Sequence, residues 1–167
     1  MIPTLETDRL RLIPSNLDSF DVYQHFYTDP EASALYGGPI GKEQVWARLK
    51  ADIGSWHLLG FGVWVIQQKS DHRQIGTCGF WQGADWPREL TWWVMPDSRG
   101  KGIATEASKA ALLYAYNQFK WDQVETYMND ENVAARHLVE KLSGRKIRRQ
   151  TFSDGLSRDI YALPKPA

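Results

Sequence analysis

The apolar pattern of residues 89–128 changes period twice, and this constrains the fold more than any other feature of the chain. Glu89-Leu90-Thr91-Trp92-Trp93-Val94-Met95 carries the β-branched and aromatic side chains of a strand. Pro96 has no N–H and interrupts strand pairing. Beyond it Ile103, Ala107, Ala110, Ala111, Tyr114 and Tyr116 support a helix from about 102 to 118, and residues 123–128 return to a strand pattern. A strand, a helix and a strand in this order make the two strands parallel, with a right-handed crossover. The turn that opens the helix is where ligand chemistry is expected.

The flanking segments fit around that unit. Residues 9–13 alternate polar and apolar side chains, as a half-buried strand requires. Ser15 or Asn16 caps a helix whose Leu17, Phe20, Tyr23 and Tyr27 share a face, ending before Asp29-Pro30. After the turn at Gly37-Gly38-Pro39, the positions Val45, Leu49, Ile53 and Trp56 predict a second helix from 42 to about 58, weakest at Gly54. Residues 61–68 and 75–81 read as a hairpin, and 132–142 as a helix stopped by Gly144. Residues 146–152 and 156–163 close the chain as a hairpin turned at Ser153-Asp154-Gly155. The order implies an α+β fold with a mixed sheet of about seven strands, as one domain over residues 1–167.

Twenty Lys plus Arg balance twenty Asp plus Glu. That removes the electrostatic reason to expect a nucleic-acid or anionic-membrane partner. A single cysteine, Cys78, excludes an internal disulfide, and no Cys/His cluster suggests a metal. The opening residues lack the apolar run of a secretory signal and no stretch is long enough to span a bilayer, so the expectation is a cytoplasmic protein.

Arg99-Gly100-Lys101-Gly102-Ile103-Ala104-Thr105 joins the strand to the helix. Glycine permits backbone conformations and close approaches that a side chain blocks, and a helix start directs free N–H groups and a positive dipole end at one spot, making an anion site. A Walker loop fails: Gly41-Lys42 has Tyr36 and Glu43 where Gly and Ser or Thr are required. A dinucleotide fingerprint fits poorly, because antiparallel strands and a short chain leave no room for repeated βαβ units.

Arg99-x-x-Gly102-x-Ala104 matches the R/Q-x-x-G-x-G/A signature of acyl-CoA N-acyltransferases, and the chain resembles the GNAT superfamily. The stretch from Glu89 to Ala107 is similar to its ribosomal-protein N-acetyltransferase (RimJ/RimL-type) branch. So are the opening Leu5-Glu-Thr-Asp-Arg-Leu-Arg-Leu12, the segment Asn129-Asp-Glu-Asn132 leading into Val139-Glu-Lys-Leu142, and the ending from Asp154 to Tyr161. The resemblance implies a three-layer fold with helices on both faces of the sheet and a splayed central strand pair. It also implies acetyl-CoA (coenzyme A) as cofactor and a primary amine as acceptor, either a protein N-terminus or a small molecule such as an amino acid, polyamine or antibiotic. The reaction implied is direct attack on the thioester through a tetrahedral intermediate. Monomers and homodimers both occur in such a family.

Carried over residue by residue, the backbone groups of Val94 and Met95 pair with the pantetheine amides. Amides from Arg99 through Gly100, Lys101, Gly102, Ile103 and Ala104 to Thr105 hold the pyrophosphate. Asn132 matches a position that hydrogen-bonds the pantetheine arm and is equally an N-cap. The N–H of Val94 or Met95 stabilises the oxyanion, and Glu89 is the general base, with an exposed carboxylate paired to Arg88 as the alternative. No general acid is assigned. Relatives place Tyr where this chain has Val139 and Ser where it has Ala135, and the substitutes Tyr127 and Tyr161 also read as packed aromatics. Those departures keep open a catalytically silent acyl-CoA-binding module. Arg145, Lys146, Arg148 and Arg149 read as a solvated strand face, and Cys78 as a core residue.

Overall fold

Alternation of buried and half-buried side chains begins at Leu10–Ile13, where Leu10 and Leu12 are fully buried. This strand belongs to a computed structural model that describes residues 1–167. The strands are β1 (Leu5–Glu6), β2 (Leu10–Ile13), β3 (Val63–Gln68), β4 (Gln74–Trp81), β5 (Glu89–Val94), β6 (Val124–Tyr127), β7 (Arg145–Thr151) and β8 (Ser157–Leu163). The helices are α1 (Phe20–Thr28), α2 (Pro30–Ser33), α3 (Lys42–Leu59), α4 (Ile103–Tyr114) and α5 (Val133–Lys141). Two antiparallel sheets result, in the orders β1-β2-β3-β4-β5 and β6-β8-β7. The expected mixed sheet of about seven strands is eight strands in two antiparallel pieces, which meet at the splayed pair that the resemblance implied. The strands expected to be a parallel pair, β5 and β6, lie side by side with no hydrogen-bonded ladder between them.

The alternation in β5 sorts its side chains onto two faces. Leu90, Trp92 and Val94 join the main core with Ile103, Ala107 and Ala111 of α4 and Leu138 and Val139 of α5. Trp93 faces the other way and stacks on Phe26 of α1 at 4.1 Å between ring centroids and 14° between planes. Tyr23, Tyr27 and the α3 residues Val45 and Leu49 complete that second cluster. Helices therefore cover both faces of the five-stranded sheet, the layering of an α+β fold. The aromatic-rich composition is spent largely here, since offset and edge-on ring pairs stabilise beyond the area they bury.

Smaller departures from the sequence reading are local. Leu17–Ser19 forms a 3-10 turn capped by Asn16 before α1 begins at Phe20. Asp29 starts the four-residue α2 by accepting from the Glu31 N–H, an element too short to leave a periodic signal. Helix α3 runs unbroken through Gly54. Helix α4 ends at Tyr114 and is followed by a π turn over Ala115–Phe119, with Lys120 in the left-handed region at φ 59°. No helix is long and apolar enough to cross a membrane.

Candidate active site

Antiparallel pairing decides which β5 amides face the gap. Met95 N–H donates to the carbonyl of Ile75, directly opposite in the β4–β5 register, at 2.8 Å. Bonded and non-bonded pairs alternate in an antiparallel ladder. Residues 95, 93, 91 and 89 therefore turn their backbone groups toward β4, while Val94, Trp92 and Leu90 turn theirs toward β6. Leu90 confirms the parity: its carbonyl accepts from Thr126 Oγ1 of β6 at 2.8 Å, the side-chain bond that joins the two strands where the gap begins. Met95 is thus corrected as a donor to ligand, because its N–H is already bonded within the sheet. Val94 keeps its N–H free for the gap, but its carbonyl accepts from Arg99 Nε at 3.0 Å. Trp92, which the sequence reading did not select, presents both of its backbone groups there.

The loop after β5 is built by a 3-10 turn over Pro96–Ser98 and by two left-handed glycines, Gly100 at φ 74° and Gly102 at φ 76°. These conformations disfavour any side chain, and a Cβ at Gly100 would point into open space. Gly102 precedes α4 without capping its first N–H groups, and the first helical bond runs from Glu106 N–H to the Gly102 carbonyl at 3.0 Å. The amides of Gly100, Lys101, Gly102, Ile103, Ala104 and Thr105 are thereby left without a backbone partner, a candidate cradle for an anion. Arg99 is corrected as a cradle member. Its N–H donates to the Pro96 carbonyl, and its guanidinium holds the carbonyls of Val94 and Ala32, each at 3.0 Å. Its role is to shape the loop.

A second brace lies below the cradle. Arg9 donates from Nε to Glu106 Oε1 at 2.7 Å and from Nη1 to the Lys101 carbonyl at 2.9 Å, and Thr7 donates to Glu106 Oε2. Burial alone would raise the Glu106 carboxyl, but the bonds from Thr7 and Arg9 hold it below the usual range. No local sequence pattern marks this partnership.

The gap widens into a cleft of about 440 Å³ between β5, β6, the α1–α3 layer and the β7–β8 turn. Glu89, Thr91 and Trp93 line it from β5, and Asn132 lines it from the start of α5. Asn132 Oδ1 accepts from Ala135 N–H at 3.1 Å, so its N-cap role is real and its side chain still borders the cleft. Glu89 is half-buried. Burial pushes its carboxyl well above the usual range, and the charge of Arg158 and the Tyr127 backbone N–H pull it back only in part. The Arg88 alternative fails, because that guanidinium lies on the opposite side, 3.4 Å from the Trp121 ring centroid.

Tyr127 is engaged elsewhere. Its hydroxyl donates to the Pro87 carbonyl at 2.8 Å, and burial raises its phenol far above the ordinary value. Tyr161 is a half-buried aromatic packed against the main core. Sequence reasoning missed four cleft residues. Tyr36 stands beside Asn132 and Arg99, its phenol raised by burial and lowered by both neighbours. Arg48 and Asp52 reach in from α3, and Arg158 from β8. Asp52 follows Leu49 by three residues on the buried face of α3, and a carboxylate in that stripe was the available signal. It accepts from the Tyr23 hydroxyl at 2.6 Å, and burial pushes it up to about 6. Outside the cleft, Cys78 is buried beside Ser108 with its thiol pushed up to about 12, which makes it inert as a nucleophile. Three of the four basic residues of β7 are paired, Lys146 and Arg149 with Asp159 and Arg148 with Glu125.

Among solved structures, an acetyltransferase from Agrobacterium tumefaciens is 27% identical, with 98% of this chain and 95% of that one covered at a TM-score of 0.89. RimL, a ribosomal L7/L12 α-N-protein acetyltransferase in complex with coenzyme A, shares the fold at 10% identity, covering 96% of this chain and 97% of its own at a TM-score of 0.77. The uncharacterized N-acetyltransferase p20 of Bacillus licheniformis is 28% identical over 93% of this chain and 86% of its own. Fold and cleft thus place the protein in the class of acetyltransferases. A family model described as Acetyltransferase (GNAT) domain matches residues 9–145, and the chain belongs to that family. Its structural neighbours include ribosomal-protein acetyltransferases alongside other members, so the likeness identifies the family and not the branch.

Proposed function

We propose that the protein transfers an acetyl group from acetyl-CoA to a primary amine. The observation that carries the reading is the unladdered gap between β5 and β6, into which Trp92 and Val94 turn their free backbone N–H groups. A pantetheine arm is an extended chain with amides of its own, and a sheet edge with open donors and acceptors is its complement. The gap leads to the amides of residues 100–105, which suit a pyrophosphate because every donor is a backbone N–H at a helix start. Asn132 borders the same path. The residues present therefore fit coenzyme A, whose acetyl thioester supplies an activated carbonyl.

The chain's own groups do the rest. An amine attacks only when neutral, and a lysine-type amine has a reference pKa near 10.4, so a base beside it matters. Glu89, raised toward neutrality by burial, is the carboxylate placed to accept that proton, directly or through one water. The free Val94 N–H would be the donor for negative charge developing on the carbonyl oxygen, a contribution of roughly 3 to 4 kcal/mol for a preorganised donor. The thiol leaving group, near 8.5 in the reference case, needs little acid assistance, and Tyr36 is the phenol that faces the Asn132 end of the cleft.

Thiol release from acetyl-CoA in the presence of a panel of primary amines, with calorimetry of coenzyme A binding, tests this reading. Amine-dependent release is the expected result. Tight coenzyme A binding with no release from any amine would leave a silent acyl-CoA-binding module, and absence of binding would remove the reading altogether.

A further inference from the structure

Two charged groups of the cleft make no ion pair, although Arg158 is near enough to Glu89, and Arg48 to Asp52, to lower each carboxyl. Glu89 makes no ion pair, and besides Arg158 only the backbone N–H of Tyr127 lowers its carboxyl. Arg48, half-buried on α3, donates only from Nη1 to the Tyr27 hydroxyl, at a long 3.3 Å. The cleft's other guanidinium, Arg158, is satisfied by Asp154 at 2.6 Å and Asn129 at 2.7 Å. Asp52 lies one turn further along α3, makes no ion pair with Arg48, and is occupied by the Tyr23 hydroxyl. Arg48 is also held in place, its guanidinium 4.9 Å from the Tyr27 ring centroid and that ring edge-on to Trp93 at 5.6 Å.

We propose that the acceptor is a free amino acid, its amine at Glu89 and its carboxylate on Arg48. A guanidinium fixed on an aromatic wall with most of its donors open is a carboxylate receptor, since its planar fork is already ordered. Glu89 lines the same cleft, so an acceptor that carries both an amine and a carboxylate can meet both groups. A plain alkylamine leaves Arg48 without an anion, and a diamine sets a second cation against it. Leu35 and Leu156, exposed by 41% and 52% at the mouth of the cleft, offer apolar contact to the remaining side chain. The inference rests on the acetyl-transfer reading and narrows its acceptor.

Matched amines differing only at the carboxylate test it: leucine against isopentylamine, γ-aminobutyrate against n-butylamine and 1,4-diaminobutane, with kcat/KM expressed per neutral amine. In at least one pair the carboxylate-bearing member should be favoured by roughly tenfold to a hundredfold, the range for a hydrogen bond between charged groups. Arg48→Met should collapse that ratio through KM, and Arg48→Lys should restore part of it. A purely structural role for Arg48 would lower both members in proportion and keep the ratio, which overturns the proposal. Equal kcat/KM within both pairs, or preference for the diamine, also overturns it while acetyl transfer stands. No thiol release from any amine removes both.

Discussion

Glu89→Gln separates the proton-accepting role of this side chain from its packing. Glutamine fills the same volume and still offers an oxygen to the Tyr127 N–H, so the variant removes little besides the titrating charge. Burial holds the wild-type carboxyl well above the ordinary range against the pull of Arg158. An unperturbed glutamate titrates near 4.3. The base must be ionised to act, so the acidic limb of the wild-type kcat/KM profile should fall above that value. Loss of a general base costs about a hundredfold to ten-thousandfold in rate, or roughly 3 to 5 kcal/mol of barrier. Stability should move the other way. A carboxyl with a raised folded pKa favours the native state while protonated, and that stability is lost as pH rises from the unfolded value through the folded one. Near neutral pH the Gln variant should therefore melt at or above the wild-type temperature while turning over far more slowly. The assay is thiol release as a function of pH, paired with thermal melts at each pH. Turnover within a fewfold of wild type, or an acidic limb that survives the substitution, would refute the assignment of Glu89 as base.

Other expectations follow from the same geometry. Gly102→Ala forces a side chain to φ 76° and should cost roughly 1 to 2 kcal/mol in a denaturant melt, with weaker coenzyme A binding by calorimetry; an unchanged affinity would argue against the cradle. Glu106→Gln removes a carboxylate held below its usual range by Thr7 and Arg9, so its destabilisation should be full above the ordinary glutamate pKa and vanish as pH falls through the lowered one. Asp52→Asn should stabilise the protein above about pH 6. Ionisation of that carboxyl, pushed to about 6 in the fold from an ordinary value near 3.9, costs the native state roughly 3 kcal/mol at most, and melts below pH 4 should show no gain.

The strand, glycine turn and helix from Glu89 to Tyr114 were legible because each signal is local: an alternation, a proline stop, two glycines and a helical period. The gap was anticipated only through the family resemblance, as a splayed strand pair; no local pattern shows it, since it depends on which strands decline to pair. The choice between Val94 and Met95 turned on the register with Ile75, twenty residues away in sequence, and no periodicity within β5 encodes it. Arg9 and Glu106 are 97 positions apart, and Arg48, Asp52 and Arg158 reach the cleft from α3 and β8. Their sequence contexts read as a strand edge, a helix face and a closing hairpin. The aromatic residues show the same limit: composition announced them, but only packing separated Trp93 on the α1 side from Trp92 on the α4 side.

Residue-resolved amide hydrogen exchange with and without coenzyme A reads the central claim at the atoms concerned. Trp92, Val94 and the amides of residues 100–105 should become protected on binding, while Met95, already bonded to Ile75, should not change. Protection confined to other strands, or a ligand-dependent change at Met95 with none at Val94, would contradict a cofactor lying in the gap between β5 and β6.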